Sequence, residues 1–339
     1  MKLLILTNNP NRASFRQRIG IYLDTLAASG IACTTAVLPS GALARYKLFR
    51  KAREFDGVFL HKKGLNLFDA YALRKNCRRL IYNYDDAVMY SDKRPERVSL
   101  SHLLPFRRTA RLADMIIVGS PYLAEQSRTL NANVQILPIG LDTDDYLVKK
   151  YENNDGKIRL VWIGSESTLD YLAELRPVLE KIGRSFDNVM LRIIGDTFFE
   201  LENMPVEKHL WRKDTRAHDL ATSDIGLAPL PSNPFTEGKC SFKILEYASS
   251  GLPVVASPVG TNPVFVKEGV TGFLVNNHEQ WLDRVGQLIA DPQLRARMGQ
   301  AGVERAREFD VRIIGKKLAG LIGGFLATDQ AAAKAGSKK

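Results

Sequence analysis

The feature that most constrains this chain is a pattern that runs twice. Short apolar, β-branched runs alternate with amphipathic stretches, break at a polar segment, and begin again. In the first pass the runs are 3–7, 32–38, 57–61, 79–84, 115–119 and 134–138, with helical stretches at 14–29, 43–55 and 67–76 and another beginning near Pro121. In the second pass the runs are 158–163, 189–194, 225–228 and 253–256, with helices from about Thr168, at 241–250, 279–290 and 292–308. Parallel strands need a crossover, usually a helix, and that helix covers a face of the sheet, so the alternation predicts α/β architecture. The expectation is two Rossmann-like doubly wound domains facing a central cleft, with the strand C-termini and their loops around it. The domains are expected at 1–150 and 157–310, joined through the polar stretch 149–156 (KKYENNDG). A helix at 311–326 that can cross back and a disordered tail at 327–339 follow.

The chain has 339 residues and a net charge of +11. Residues 1–150 hold 24 Lys+Arg against 13 Asp+Glu, and the remainder balances at 24 of each. The excess on the first half fits an anionic partner or surface for that half, or a basic surface that serves solubility. The three cysteines, Cys33, Cys77 and Cys240, lie far apart and form no CxxC or Cys/His pair, which speaks against a disulfide framework or structural zinc and suits a reducing cytoplasm. The start carries no cleavable-signal pattern, and no apolar run reaches the roughly 20 residues that span a bilayer. There is no GxGxxG after a strand, no GxxxxGK[ST], no HExxH and no GxSxG, so a nicotinamide, P-loop, zincin or hydrolase reading finds no support. Asp142-Thr143-Asp144 imitates a metal-binding DxD but lies in PIGLDTDDY at the exit of the first half, and no metal is expected.

The densest stretch is 224–272, which reads as strand, loop, helix, strand, loop. Its helix is expected to start near Cys240 or Ser241, where unpaired N–H groups and a partial positive charge suit a diphosphate. Lys239 and Lys243, four residues apart, would share one face of the first turn. Cations are unfavourable at a helix N-terminus, so two of them there point to an anion that offsets them. Glu246, on the same helix, can accept hydrogen bonds from ribose hydroxyls; the alternative is an amphipathic surface helix with scattered charges.

The run LEYASSGLPVVASPVGTNPVFVKEGVTGFLV resembles the donor-binding region of family-4 (group 1) glycosyltransferases of GT-B fold. The resemblance extends in order and spacing over roughly residues 1–310 and is strongest over 224–275. It implies a retaining, cofactor-free and metal-independent transfer of a sugar from a nucleoside-diphosphate sugar, with 1–150 as acceptor domain and 157–310 as donor domain. Members carry two glutamates eight positions apart. Glu246 matches the second, the first falls on Gly238, and the nearest glutamate is Glu237. Members also place an Arg and a Lys after the first strand of the second domain. Here that loop reads Trp162-Ile163-Gly164-Ser165-Glu166-Ser167-Thr168, without a cation. The chain therefore resembles a subgroup in which the GKCxFK segment, Gly238–Lys243, takes over the phosphate. The donor set implied is Gly164, Ser165, Thr168, Glu237, Gly238, Lys239, Lys243 and Glu246, with Ser167 as helix N-cap in a competing reading.

In the first half NYDDAVMY follows a strand and puts Asp85 and Asp86 at the cleft edge. Members often have a catalytic His or Asp there, and either aspartate matches, with a helix cap or turn role as the alternative. The loop after the first strand carries Arg12, Arg16 and Arg18, of which Arg16 and Arg18 are placed at acceptor or phosphate, unless they are solvated surface groups. His61, Lys62 and Lys63 close another strand; Lys62 reaches the same rim, and His61 is either a base or structural. The acceptor expected is a glycan or lipid-linked molecule. The basic stretch 43–55 with 103–108 (LLPFRR) can lie on an anionic membrane surface, so a cytoplasmic protein, peripheral at the inner face, is expected; an ordinary amphipathic helix is the alternative. No nucleic-acid module is recognised. A catalytically silent nucleotide-sugar or glycan-binding scaffold remains the reading from another class.

Overall fold

The computed structural model describes residues 1–91, 93–151 and 155–336, with side chains of the last helix described through residue 327. The chain divides into two compact units. The first holds Met1–Gly140, Asn233–Cys240 and the segment from Val311; the second holds Leu141–Ser232 and Ser241–Asp310.

The first unit carries β1 (Lys2–Thr7), β2 (Ala32–Val37), β3 (Gly57–His61), β4 (Leu80–Tyr84), β5 (Tyr90–Ser91), β6 (Arg94–Val98), β7 (Met115–Val118) and β8 (Val134–Ile136). Six of these form a parallel sheet in the order β2-β1-β3-β4-β7-β8, and β5 and β6 pair antiparallel. Every residue of β3, β4 and β7 is buried while edge strand β2 is mostly exposed. Central strands covered on both faces must be apolar throughout, and an edge strand need not be. The strand order reverses between β1 and β3, so the loops after β1, β3 and β4 gather at the end where doubly wound sheets bind ligands.

The second unit repeats the scheme with β9 (Ile158–Ile163), β10 (Val189–Gly195), β11 (Val206–Leu210), β12 (Ile225–Ala228), β13 (Val254–Ala256) and β14 (Gly272–Leu274), all parallel, in the order β11-β10-β9-β12-β13-β14. Its switch point lies between β9 and β12. Trp162, Leu160, Leu191, Ile193 and Leu227 centre a core that the helices Arg176–Ser185 and His278–Ala290 cover with Leu179, Ile182, Val285 and Leu288.

Several expectations are corrected here. The helix Leu100–Leu112 is absent from the sequence reading because Pro105 inside it reads as a breaker. The last helix runs Val311–Gly336, into the stretch expected as a disordered tail. Residues 327–336 (ATDQAAAKAG) are rich in alanine, the strongest helix former, while 337–339 lie outside the described residues. The first boundary between units falls at Gly140/Leu141, ahead of the expected linker. Lys149 donates its backbone N–H to Ser250 O at 3.0 Å and pairs with Asp224 at 3.0 Å, and Tyr151 donates to Gly251 O at 2.7 Å, all within the second unit. Residues 152–154 of that linker lie outside the described residues.

Candidate active site

In the second unit the site grows from the ends of β9 and β12. Gly164 follows β9, and a Cβ built there would lie 2.6 Å from the Trp162 ring and 2.9 Å from Thr168 Oγ1, so only glycine lets the chain pass. Ser165 is the N-cap residue of the helix Glu166–Ala173, with no side-chain capping bond, which replaces the expected start at Thr168 and the Ser167 cap. Ser165 Oγ and Ser167 Oγ instead bond each other at 3.0 Å, and Thr168 Oγ1 donates to Ser165 O at 3.0 Å.

The helix Phe242–Ser249 also starts without a side-chain cap. Lys243, in its first turn, lies 4.2 Å above the centroid of Trp162. A cation over an indole face is favourable, and here it anchors an ammonium where the helix dipole disfavours one. Glu246, one turn on, is buried; Tyr146 Oη donates to its Oε1 at 2.9 Å and Arg216 Nη1 stands 3.7 Å away. Arg216 also pairs with Asp145 at 3.3 Å and stacks over the Tyr146 ring. Burial raises the Glu246 carboxyl above its ordinary value, and Arg216, Tyr146 and Lys243 only partly oppose that.

The segment Asn233–Cys240 belongs to the first unit, so Glu237, Gly238 and Lys239 group with Asp85 and Asp86, while Gly164, Ser165, Thr168, Lys243 and Glu246 group in the second. Lys239 precedes the helix in extended conformation, after the short turn Thr236–Gly238, so the expected shared helix face with Lys243 does not form. A Cβ on Gly238 would lie 2.6 Å from both the Cβ and the N of Ala87, which accounts for glycine where the family pattern has glutamate. Cys240 Sγ donates to the Asp85 carbonyl at 3.0 Å, and burial pushes its thiol well above its ordinary value.

Lys62 organises the first-unit cluster. Its Nζ reaches Asp85 Oδ1 at 3.0 Å and also bonds Asp86, whose other oxygen lies 3.8 Å from Lys239 Nζ. Its φ is +55°, in the left-handed region, the one such non-glycine residue among those described, and bulky side chains pay a steric penalty there. Burial pushes the Asp85 carboxyl up, but Lys62, His61 and Arg18 together pull it below its ordinary value. Burial alone would lower the Lys62 ammonium; Asp85 and Asp86 more than reverse that. Arg18 is buried and donates to Leu137 O, and its charge acts on Asp85 as that of Lys62 does, whereas Arg16 is exposed and donates to Asn11 O at 2.7 Å. Asp142, of the DxD spelling, accepts from Asp144 N at 3.2 Å as cap of the turn Thr143–Asp145.

Tyr146 and Arg216 were missed by sequence reasoning. Tyr146 ends the PIGLDTDDY segment, and Arg216 sits in KDTRAHD with no motif around it, so only long-range packing reveals either.

Two parallel six-stranded Rossmann-like units define the GT-B class of fold. Sucrose-phosphate synthase from Thermosynechococcus elongatus matches with a TM-score of 0.75 at 14% identity, over 96% of this chain and 99% of that one. HepE from Anabaena, in complex with UDP and glucose, matches at 0.74 and 20% identity, over 96% and 100%. At these identities the likeness is one of fold. The family model "Glycosyl transferases group 1" matches residues 145–291, which contain the Glu246 cluster. The D-inositol 3-phosphate glycosyltransferase of Corynebacterium glutamicum is 31% identical over 137 residues, which is 40% of this chain and spans only 33% of the relative's length.

Proposed function

We propose that the chain is a glycosyltransferase that moves a sugar from a nucleoside-diphosphate sugar to a glycan or lipid-linked acceptor, retaining and without a metal. The observation that carries this is the helix Phe242–Ser249: uncapped at its start, with Lys243 in its first turn and Glu246 buried behind, inside the stretch that the group 1 model matches. The dipole and Lys243 suit the diphosphate, and Glu246 suits ribose hydroxyls. Gly164 gives the backbone its close approach, with Ser165 and Thr168 as neutral donors. As the bond to the sugar breaks, charge builds on the departing diphosphate; Lys243 stabilises it, and the leaving phosphate takes the acceptor's proton on the same face. The first unit, with Asp85, Asp86, Lys62 and Arg18, takes the acceptor. HepE holds UDP, so UDP is the first base to try. The curated relative's name makes a phosphorylated polyol the first acceptor, and the basic first half agrees with an anionic one.

The same reading puts the protein in the cytoplasm, peripheral at an anionic membrane. Leu43, Leu100 and Leu104 are 69%, 64% and 50% exposed, and Leu67, Phe68 and Tyr71 on the helix Leu67–Asn76 are exposed too, with Lys75 over the Tyr71 ring. Sedimentation with phosphatidylserine vesicles, absent with neutral ones, is the expected result.

The test of the activity is calorimetric titration with a panel of nucleoside diphosphates and their sugars, followed by turnover assays. Selective binding is expected, weakened by about 1.5–3 kcal/mol in Lys243→Ala, the scale of a charged hydrogen bond. Binding without turnover on any acceptor favours a scaffold; no binding by any member of the panel removes the donor site.

A further inference from the structure

Two side-chain nitrogens of the first unit are buried without a hydrogen-bond partner among the described residues, Nε2 of His61 and Nη2 of Arg18. Both residues are 3% exposed. Buried polar atoms left unpaired are rare in folded chains, and where they persist a ligand or water commonly completes them. His61 ends β3, and Arg18 ends the helix Ala13–Arg18 that follows β1. These two strands are neighbours at the point where the strand order reverses, where doubly wound sheets bind ligands. The charge of Arg18 acts on the His61 ring, together with those of Asp85 and Lys62.

The hydrogen bonds around His61 fix its tautomer. Ile117 O can only accept, so Asn83 turns its NH2 to it, at 2.9 Å, and presents Oδ1 to His61 Nδ1, at 3.0 Å. Nδ1 therefore carries the ring proton and Nε2 keeps a lone pair. Burial lowers the pKa of the ring, which keeps it neutral. The pair thus offers one acceptor, His61 Nε2, and one donor, Arg18 Nη2. A phosphate or carboxylate only accepts and would face the Nε2 lone pair and the Asp85 carboxylate; an ammonium only donates. A hydroxyl does both.

We propose that His61 Nε2 and Arg18 Nη2 form a subsite for one sugar hydroxyl, Nε2 accepting its hydrogen and Nη2 donating to its oxygen. This rests on the sugar-transfer reading above and assigns a contact within it. The hydroxyl belongs to the donor sugar or to the acceptor, and the experiment separates the two.

The protein has five histidines, so the imidazole nitrogens can be followed by 15N NMR of the full chain, with the His61 signals identified by their loss in His61→Phe. The neutral Nδ1–H tautomer is expected, with an Nε2 signal that UDP alone leaves in place. A shift with UDP-glucose assigns the donor hydroxyl; a shift only when methyl glucoside or inositol phosphate is added assigns the acceptor. In turnover, His61→Phe should lose about tenfold in kcat/KM while its Kd for UDP stays within about twofold, the scale of one hydrogen bond. A protonated Nε2 overturns the subsite. So does an Nε2 signal that neither UDP-glucose nor an added acceptor moves while calorimetry shows UDP-glucose bound, which would leave an ordered water as the partner. If calorimetry finds no binding of UDP or UDP-glucose, the donor reading fails, a separate and recognisable result.

Discussion

Asp85 in the first unit and Glu246 in the second are both buried carboxylates beside a cation, yet their titrations shift in opposite directions. Asp85 has the Lys62 ammonium at 3.0 Å, and Arg18 adds to it, so the charged form wins over the cost of burial. Glu246 has a phenol at 2.9 Å and a guanidinium at 3.7 Å that Asp145 already shares, so burial wins. Burial alone does not decide a carboxyl's state; the distance and commitment of the nearest cation do. The first unit holds a preassembled ion cluster. The second holds a carboxyl whose nearest cation is farther off and already shared with Asp145.

The largest effect that can break this contrast is expected from Lys62→Met. It strands Asp85 without its main cation, and about 3 kcal/mol of stability should be lost at neutral pH in urea unfolding, the usual scale for breaking a buried pair. In the native protein Asp85 titrates below its unfolded value near 3.9, so its contribution is complete above that and is lost as pH falls through the lowered folded value. In the variant the carboxyl is pushed up instead, so the deficit should shrink as pH falls from 7 towards 4. An equal deficit at both pH values would mean that packing, not charge, holds the cluster.

Glu246→Gln should act the other way, with a smaller effect. The native carboxyl titrates above its unfolded value, so its contribution is most favourable below that value and falls as pH rises through the window up to the folded one. Glutamine keeps an acceptor for Tyr146 and removes the charge. Stability at pH 7.5 should hold or rise slightly, while UDP-sugar affinity drops. A lower Tm at pH 7.5 would show that the Arg216 pair, rather than burial, governs Glu246.

The same two sites mark how much was legible in the sequence. The doubled strand–helix alternation carries both sheets, because fully buried parallel strands such as β3, β4 and β7 are continuous apolar runs. Asp85, Asp86 and Lys62 were reachable because they directly follow recognisable strands. The Glu246 partners were not: Tyr146 and Arg216 lie 100 and 30 residues from it in the chain and come from segments with no periodicity. The grouping of Asn233–Cys240 with the first unit was equally hidden, since the fit of Gly238 against Ala87 and the Cys240 bond to Asp85 O are tertiary facts with no local signature. The helix start, by contrast, was legible: it was expected near Cys240 or Ser241, and the helix begins at Phe242 with Ser241 as its N-cap residue.

The smallest effect tests whether the first cluster stores backbone strain that the second does not need. Glu246 sits in a regular helix, whereas Lys62 reaches both aspartates from a left-handed backbone at φ +55°. Lys62→Ala and Lys62→Gly remove the same ammonium, so their difference isolates the backbone. Alanine at positive φ costs about 1–2 kcal/mol, and glycine escapes that but loses about 0.5–1 kcal/mol more conformational entropy on folding. The glycine variant should therefore be the more stable by about 0.5 kcal/mol in matched urea titrations at pH 4, where Asp85 repulsion is weakest. If alanine is the more stable, the backbone at 62 relaxes once the ion pairs are gone. The left-handed turn would then be a consequence of the two aspartates pulling on Lys62 rather than a conformation the loop after β3 holds by itself.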